Sequence, residues 1–528
     1  MLKAMKKYLA FIFAALLPLS CTKQSVFSGD LHSFRGDGIS HGMIVLGGRL
    51  ENPYVTDNVR KAFASLYPTK SADLVRTTNL YVRFLPKDND EYLLLKKMGV
   101  EMLDHPVDYE IVEEGDYYQD PAVGDDSITW QYAVVPIDFK FPDVRHEILD
   151  ECFIADNLVS TKGLEGVDWE MVERQSYLLT GNGDKVESIV PGTKADKVHP
   201  SGRITIVDEN ANGGQPFGLA GVKVSCNTFV KFSSAYTDRD GYYTIPKQFS
   251  ANLRYRLIFN NEKGFNIGFN LILLPASVST LGKAPASGLD CRVTRDSDEK
   301  LYRRAVVNNA AYDYYEKCLS MGITPPPGDV RIWIFKGLTA SSAIMAHQGA
   351  IIENSLIKAY LGAYAPLIQL FLPDITIGTK DNDSYSEIYD SVVHELSHAS
   401  HFAQVGREYW EQYIFYIAST FLKTGGRTYG TGDGEYAGHC EVGEMWAYYL
   451  ESMLHKERYG GPVPAYGTSY WFYPQIFRYL EDRGLSRQDI FSVLRNDVTD
   501  RQTLQDRLVS SFPKKRLVIE QVFNRYRQ

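Results

Sequence analysis

His394 and His398 bracket Glu395 in the run His394-Glu395-Leu396-Ser397-His398. On an α-helix of about 3.6 residues per turn, positions i and i+4 stand one above the other. Two imidazoles at that spacing reach a single tetrahedral cation, and Zn2+ takes this donor type readily. Glu395 then flanks the open position as a carboxylate able to take a proton from water. Two histidines leave the ligand set incomplete. An extended motif would place glycine and a third histidine at positions occupied here by His401 and Gln404, so the third ligand is not local. A carboxylate from a later helix is the alternative. In the segment from Glu441 to Met453, Val442, Met445, Trp446, Tyr449 and Met453 form an apolar face, while Glu441, Glu444, Tyr448 and Glu451 share the other.

The elements that must position these groups are legible nearby. Ser384 and Glu387 form an S-x-x-E capping box that starts a helix. Tyr389, Val392, Val393, Leu396, Ala399, Phe402 and Ala403 continue it as an inward stripe, and Gly406 is its expected stop. Asp374 to Gly378 alternates as a short strand, placed to let an extended peptide lie beside the metal. A glycine-rich connection, Thr424 to Glu435, separates the two metal helices and reads as a gating loop or an ordinary long connection.

Glu444-Met445-Trp446-Ala447-Tyr448 downstream of H-E-x-x-H resembles the gluzincin metallopeptidases, whose third ligand is a glutamate in an E-x-[FW]-A-x-Y setting. The resemblance covers roughly residues 295–460. It implies Zn2+ held by His394, His398 and Glu444, with Glu441 one turn earlier as the alternative ligand. It also implies that Glu395 is the general base in peptide-bond hydrolysis, and that a Tyr or His binds the oxyanion. Tyr429, Tyr436, His439 and Tyr448 are near in sequence, but among 35 tyrosines proximity selects none. Asp390, one turn before His394, reads either as a partner orienting that imidazole or as an acid favoured by the helix dipole. His401 is expected to be a polar helix residue. No G-x-M-E-N-like amine-capturing motif precedes His394; Gly349 to Asn354 offers only Glu353-Asn354, so endopeptidase is preferred to aminopeptidase.

At the amino terminus, Lys3, Lys6 and Lys7 precede an apolar run from Tyr8 to Leu19 and then Ser20-Cys21. Residues 1–20 read as a secretory signal, too short for a stable span. They resemble a bacterial lipoprotein signal, with Pro18 where leucine is usual, which implies lipidation of Cys21 and a tether over 21–34. Ordinary secretion is the alternative. The expected location is the cell envelope, lipid-anchored to a bacterial membrane, the outer one preferred. The apolar stretch Leu356–Leu372 is interrupted by Lys358 and Pro366 and is not read as a span.

A chain of 528 residues holds about three domains. Its 44% hydrophobic and 23% charged residues are globular values, and a net charge of −9 without a basic patch argues against nucleic acid. The five cysteines beyond Cys21 are widely scattered and show no dense disulfide framework, though one pair could bridge. Short alternating strands at Gly202–Asp208, Leu219–Val224 and Thr237–Ile245 indicate a β-sandwich. The series resembles the carboxypeptidase regulatory-like, transthyretin-like module over 198–282, generally a non-catalytic accessory. Asp238 and Asp240 suit turn formation better than Ca2+ binding. Residues 35–195 read as an α+β accessory domain and 290–528 as a mostly helical zincin domain, including helices after Tyr470 with an N-cap at Ser486. The expected fold class is therefore multidomain α+β, and the expected function zinc-dependent hydrolysis of peptide or protein substrates. A silent zincin scaffold binding peptide or glycan, and a zinc hydrolase of a non-peptide bond, are the alternatives.

Overall fold

The computed structural model describes residues 42–124, 127–157, 163–186, 197–268, 276–336, 341–349, 373–380, 383–424 and 427–526. The expected signal over 1–20, Cys21, the tether over 21–34, Glu353-Asn354 and the apolar stretch Leu356–Leu372 lie outside the described residues. Within them the chain is mixed α/β, with eleven helices and several antiparallel sheets, consistent with a multidomain α+β protein. Among the described residues no helix is long and apolar enough to cross a membrane.

The first part comprises β1 (Val45–Arg49), α1 (Thr56–Leu66), β2 (Asn79–Leu85), α2 (Asn89–Lys97), β3 (Met102–Leu103), β4 (Tyr109–Glu113), β5 (Gln131–Pro136), β6 (Arg145–Cys152) and α3 (Trp169–Leu179). Strands β3-β5-β2-β6 form one antiparallel sheet, and β1 pairs with β4. Alternation along β2 sends Leu80, Val82 and Phe84 into one core and Tyr81 into another, so this strand is covered on both faces.

The middle part contains β7 (Ser201–Ile206), β8 (Phe217–Gly218), β9 (Lys223–Thr228), β10 (Lys231–Tyr236), β11 (Tyr242–Thr244), β12 (Leu253–Ile258), β13 (Asn266–Ile267), β14 (Val278–Ala284) and β15 (Cys291–Val293). They form a sheet ordered β10-β9-β12-β14 and another ordered β11-β7-β15, with β8 on β7. Val224, Cys226, Tyr255 and Leu257 from the first sheet share a core with Ile204, Ile206 and Tyr243 from the second. In the Asp238 turn, Oδ1 accepts from the backbone N–H of Asp240 and of Tyr242, each at 2.9 Å, so the acid builds the turn itself. Gly241 has φ +83°, and a Cβ there would lie 2.1 Å from the Ile204 carbonyl oxygen, which restricts the site to glycine.

That core does not end at residue 282. Strand β15 pairs in parallel with β7, and the core continues to Phe523. Helix α4 (Glu299–Met321), capped by Asp298, is the shared element. Asn308 and Asn309 donate to the carbonyls of Ala220 and Gly218 at 2.8 Å each, while Tyr314 bonds Ser400 at 3.0 Å on the opposite side. An amide-lined helix between two apolar layers joins them through hydrogen bonds that would otherwise be left unmade.

The last part holds β16 (Arg331–Lys336), β17 (Ser342–Ala343) and β18 (Ile375–Thr379), then α5 (Tyr385–Val405), α6 (Arg407–Thr424), α7 (Ala437–Tyr459), α8 (Gln475–Glu481), α9 (Arg487–Val493), α10 (Arg501–Ser511) and α11 (Arg516–Asn524). The strands join β13 in the order β13-β16-β18-β17. Strand β18 is therefore flanked on both sides, by β16 and by antiparallel β17. Strand β16 pairs with all of residues 375–379, whereas β17 pairs only with Ile375 and Thr376. All five described cysteines are free, which corrects the suggestion of one disulfide among them.

Candidate metal centre

Helix α5 starts where its residues dictate. The Ser384 hydroxyl accepts from the Glu387 N–H at 3.2 Å and the Glu387 carboxylate accepts from the Ser384 N–H at 2.7 Å. Its buried stripe turns His394 and His398 toward α7, which lies against it and supplies Glu444. The two Nε2 atoms are 3.2 Å apart, and each lies 3.6 Å from a different oxygen of Glu444. Zinc–nitrogen bonds of about 2.0–2.1 Å in tetrahedral geometry put neighbouring ligand atoms roughly 3.3 Å apart, so the three side chains fit one small cation. His394, His398 and Glu444 are all buried and can hold a metal ion.

The surrounding groups orient those ligands. His394 Nδ1 lies 3.0 Å from Glu451 Oε2, so an N–H at Nδ1 donates to that acid and the Nε2 lone pair faces the site. The Tyr413 hydroxyl donates to Glu444 Oε1 at 2.7 Å and the Tyr429 hydroxyl to Oε2 at 3.2 Å. The Tyr448 hydroxyl is 3.4 Å from that of Tyr429, and its ring packs 4.5 Å from the His394 ring. Trp410 and Tyr413 pack on His398, each with ring centroids 5.6 Å away.

Glu395 is fully buried, and neither carboxylate oxygen has a hydrogen-bond partner among the described residues. Burial pushes its carboxyl up to about 8, with His394 opposing and Glu444 adding to the rise. Burial would also raise Glu444, but His398 and His394 outweigh it and hold that carboxyl well below the ordinary range. For His394, burial disfavours the charged ring, yet Glu444 and Glu451 overcome it and push the pKa up to about 10. His398 is held down by burial. Three carboxylates thus converge with two imidazoles in a dry interior, an arrangement whose charge a divalent cation balances.

Other sequence candidates fall elsewhere. Glu441 turns away toward α10, where Oε1 lies 3.2 Å from Arg501 Nε and Oε2 accepts from the Arg501 N–H at 3.3 Å. Asp390 does not orient His394; it binds His455 Nδ1 at 2.8 Å and accepts from the Tyr466 hydroxyl at 2.8 Å. His401 lies on α5, as expected of a helix residue, but in the interior. It is fully buried beside Tyr409 and Trp410, with neither ring nitrogen partnered among the described residues. Burial, with His398 adding, holds it neutral, at a pKa of about 3. Of the oxyanion candidates, Tyr429 and Tyr448 reach the cluster. Tyr436 instead occupies the left-handed N-cap of α7, and His439 packs on Tyr409 at 4.4 Å.

Tyr413 and Glu451 were not given roles by sequence reasoning. Glu451 had a signal: it stands seven residues after Glu444 on the same helix face. Tyr413 had none, because α6 carries no motif. Tyr429 is fixed by its own carbonyl, which accepts from the Tyr416 hydroxyl at 2.7 Å and the Trp471 indole at 2.8 Å, pinning that part of the glycine-rich connection against the centre. No protein-family model matches the chain, and no curated protein matches its sequence.

Proposed function

We propose that this protein is a gluzincin-type zinc peptidase, with His394, His398 and Glu444 holding Zn2+ and Glu395 as general base. The observation that carries this reading is the ligand triangle with an unpartnered carboxylate beside it. A donor set of two imidazoles and one carboxylate at tetrahedral spacing suits zinc better than the oxygen-preferring cations. When bound, Zn2+ would act as a Lewis acid, polarising a scissile carbonyl and making water more acidic.

The chain's own residues do the rest. Glu451 holds His394 in the tautomer that presents Nε2 to the site. Tyr413 and Tyr429 fix Glu444 through one hydroxyl on each oxygen. Glu395, free of competing hydrogen bonds, accepts a proton from a water molecule and delivers it to the leaving amine. With the Tyr429 proton given to Glu444, Tyr448 is the hydroxyl at hand to bind a developing oxyanion. Residues 198–282 are read as a carboxypeptidase regulatory-like accessory and residues 35–195 as a second accessory domain. The resemblance of residues 1–21 to a bacterial lipoprotein signal supports a lipid-anchored location at the cell envelope, with peptide or protein substrates and endopeptidase preferred.

One observation favours a second reading. Glu395, His398 and Glu444 have no exposed surface, and His394 is 3% exposed, so this enclosure suits a zincin scaffold that binds without cutting. Retention of Glu395 argues for hydrolysis, since a scaffold has no use for an unpaired buried carboxylate. Zinc content and cleavage of a broad peptide library separate the two in wild type, His394→Ala and Glu395→Gln. The peptidase reading expects one zinc per wild-type chain, loss of metal in His394→Ala, and metal without cleavage in Glu395→Gln. A wild-type chain that binds no zinc overturns both readings; one that binds zinc and cuts nothing overturns the peptidase.

A further inference from the structure

Helix α7 ends at Tyr459, and the chain then turns back over the rings around the metal ligands before α8 begins at Gln475. The Tyr466 hydroxyl donates to Asp390 Oδ2 at 2.8 Å, and the same aspartate holds His455 Nδ1 on α7. Gly467 lies against Tyr448, where a Cβ would come within 2.5 Å of the ring carbon Cγ. The Tyr470 ring stands 4.7 Å from that of Tyr429 and 6.0 Å from that of Tyr448. Tyr448 in turn packs on the His394 ring, so this segment is the layer outside a ring that touches a metal ligand.

Its inner face is aromatic and its outer face meets solvent. Gly460, Gly461, Pro462, Ala465, Thr468 and Ser469 are exposed, and none of residues 460–470 is fully buried. Among the described residues, the backbone bonds of 461–470 close turns within the segment: Thr468 N–H to the Ala465 carbonyl at 3.4 Å, and Tyr470 N–H to that of Gly467 at 3.3 Å. A stretch with exposed backbone and only local bonds belongs to the low-stability end of a fold. Its two ends differ. Gly460 and Gly461 have φ +74° and +75°, adjacent left-handed residues beyond α7 that can absorb a swing of the chain. At the other end Trp471 sits against Gly432, its indole donates to the Tyr429 carbonyl at 2.8 Å, and Phe472 is fully buried.

The groups beneath are enclosed: Glu395, His398 and Glu444 have no exposed surface. Anything that reaches them from solvent does so only when a covering element moves. We propose that residues 460–470 form a strap that swings on Gly460 and Gly461, is latched shut by the Tyr466–Asp390 hydrogen bond, and uncovers Tyr448 and the metal centre when it lifts. Trp471 and Phe472 are the fixed end, held on Tyr429, so the movable part is bounded on both sides. The role in access rests on the proposed metal site; the motion itself does not.

Two measurements on the full chain test it. Hydrogen–deuterium exchange of the metal-free protein reads the motion. Residues 460–470 should exchange faster than α7, and Tyr466→Phe should speed their exchange by about tenfold or more, since it removes a hydrogen bond to a carboxylate. Gly467→Ala, which pushes the segment off Tyr448 and leaves the latch in place, should do the same and guards against a folding defect of the first variant. Stopped-flow zinc loading and chelator-driven release read the gating. Both rates should rise by a common factor in each variant with the zinc Kd unchanged, because a lifted cover alters the path and not the ligands. Faster release with a weakened Kd marks damage to the ligands and overturns the gating. Residues 460–470 as protected as α7, or exchange unmoved by both variants, overturns the strap. In a wild type that binds no zinc the role in access falls with the metal site, and exchange alone decides the motion.

Discussion

Glu451 Oε2 lies 3.0 Å from Nδ1 of His394, two helical turns beyond the carboxylate that meets the same imidazole at Nε2. One helix thus grips both nitrogens of one ring, which sets tautomer and orientation before any metal arrives. Removing such a partner weakens a metal site by about 10- to 100-fold. Glu451→Ala should keep the fold and lose zinc affinity by that factor, measured by competition with a chromophoric chelator. An unchanged affinity would show that the helix packing alone orients His394.

Glu444 and Glu441 make opposite predictions although they lie one turn apart. Glu444 faces both histidines, whereas Glu441 faces Arg501. Glu444→Ala should reduce bound zinc well below one per chain. Glu441→Ala should retain the metal and lower Tm, since it removes the carboxylate that pairs with the Arg501 guanidinium and accepts from its N–H. Zinc analysis beside calorimetry distinguishes them, and metal loss in Glu441→Ala alone would reassign the third ligand.

Local rules account for what was legible. The capping box at Ser384, the i,i+4 histidines, the apolar face of α7 and the N-cap at Ser486 all depend on neighbours within a few residues, and each appears where its spacing requires. The partners of His394 and Asp390 were not legible, because Glu451 and His455 lie 57 and 65 residues further along the chain. Asp390 and Glu451 are both acids on helix faces near the histidines, and only the packing of α5 on α7 decides which reaches which ring. The continuity of the core past residue 282 was hidden for a related reason. Helix α4 is buried nearly all round, and its asparagines and arginines read as surface until their partners are known.

Arg458 shows how the middle sheets are fastened to the metal helices. Its guanidinium meets the fully buried Asp208 carboxylate through Nη2 at 2.9 Å and Nε at 3.2 Å. It also lies 5.0 Å from the ring centroids of both Tyr385 and Tyr389. Truncating one partner of a buried pair costs about 3–5 kcal/mol, chiefly through the charge left behind. Arg458→Ala should therefore lower stability by roughly that amount. The double variant Arg458→Met with Asp208→Asn should recover a large part of it. Calorimetric Tm values for the set test this, and a double variant no better than Arg458→Ala would place the cost in lost ring contacts instead.

Asp374 makes stability depend on pH in a direction opposite to most acids. It is fully buried before β18, its oxygens accepting from the backbone N–H of Arg331 at 3.1 Å and of Gln348 at 3.0 Å. Burial pushes its carboxyl up to about 6, against the opposing influence of His347 and those two donors. An unfolded aspartate titrates near about 3.9, so the folded state holds this proton more tightly. The resulting stabilisation is complete below about pH 4 and is lost as pH rises through about 6, a change of roughly 2–3 kcal/mol. Asp374→Asn carries no such titration. Measured by denaturant unfolding at pH 4 and pH 7, the stability gap between variant and wild type should move in the variant's favour by that amount, while the metal centre titrates in both chains and cancels. Parallel stability curves would mean that Asp374 stays ionised across this range and that the two backbone donors, not burial, govern it.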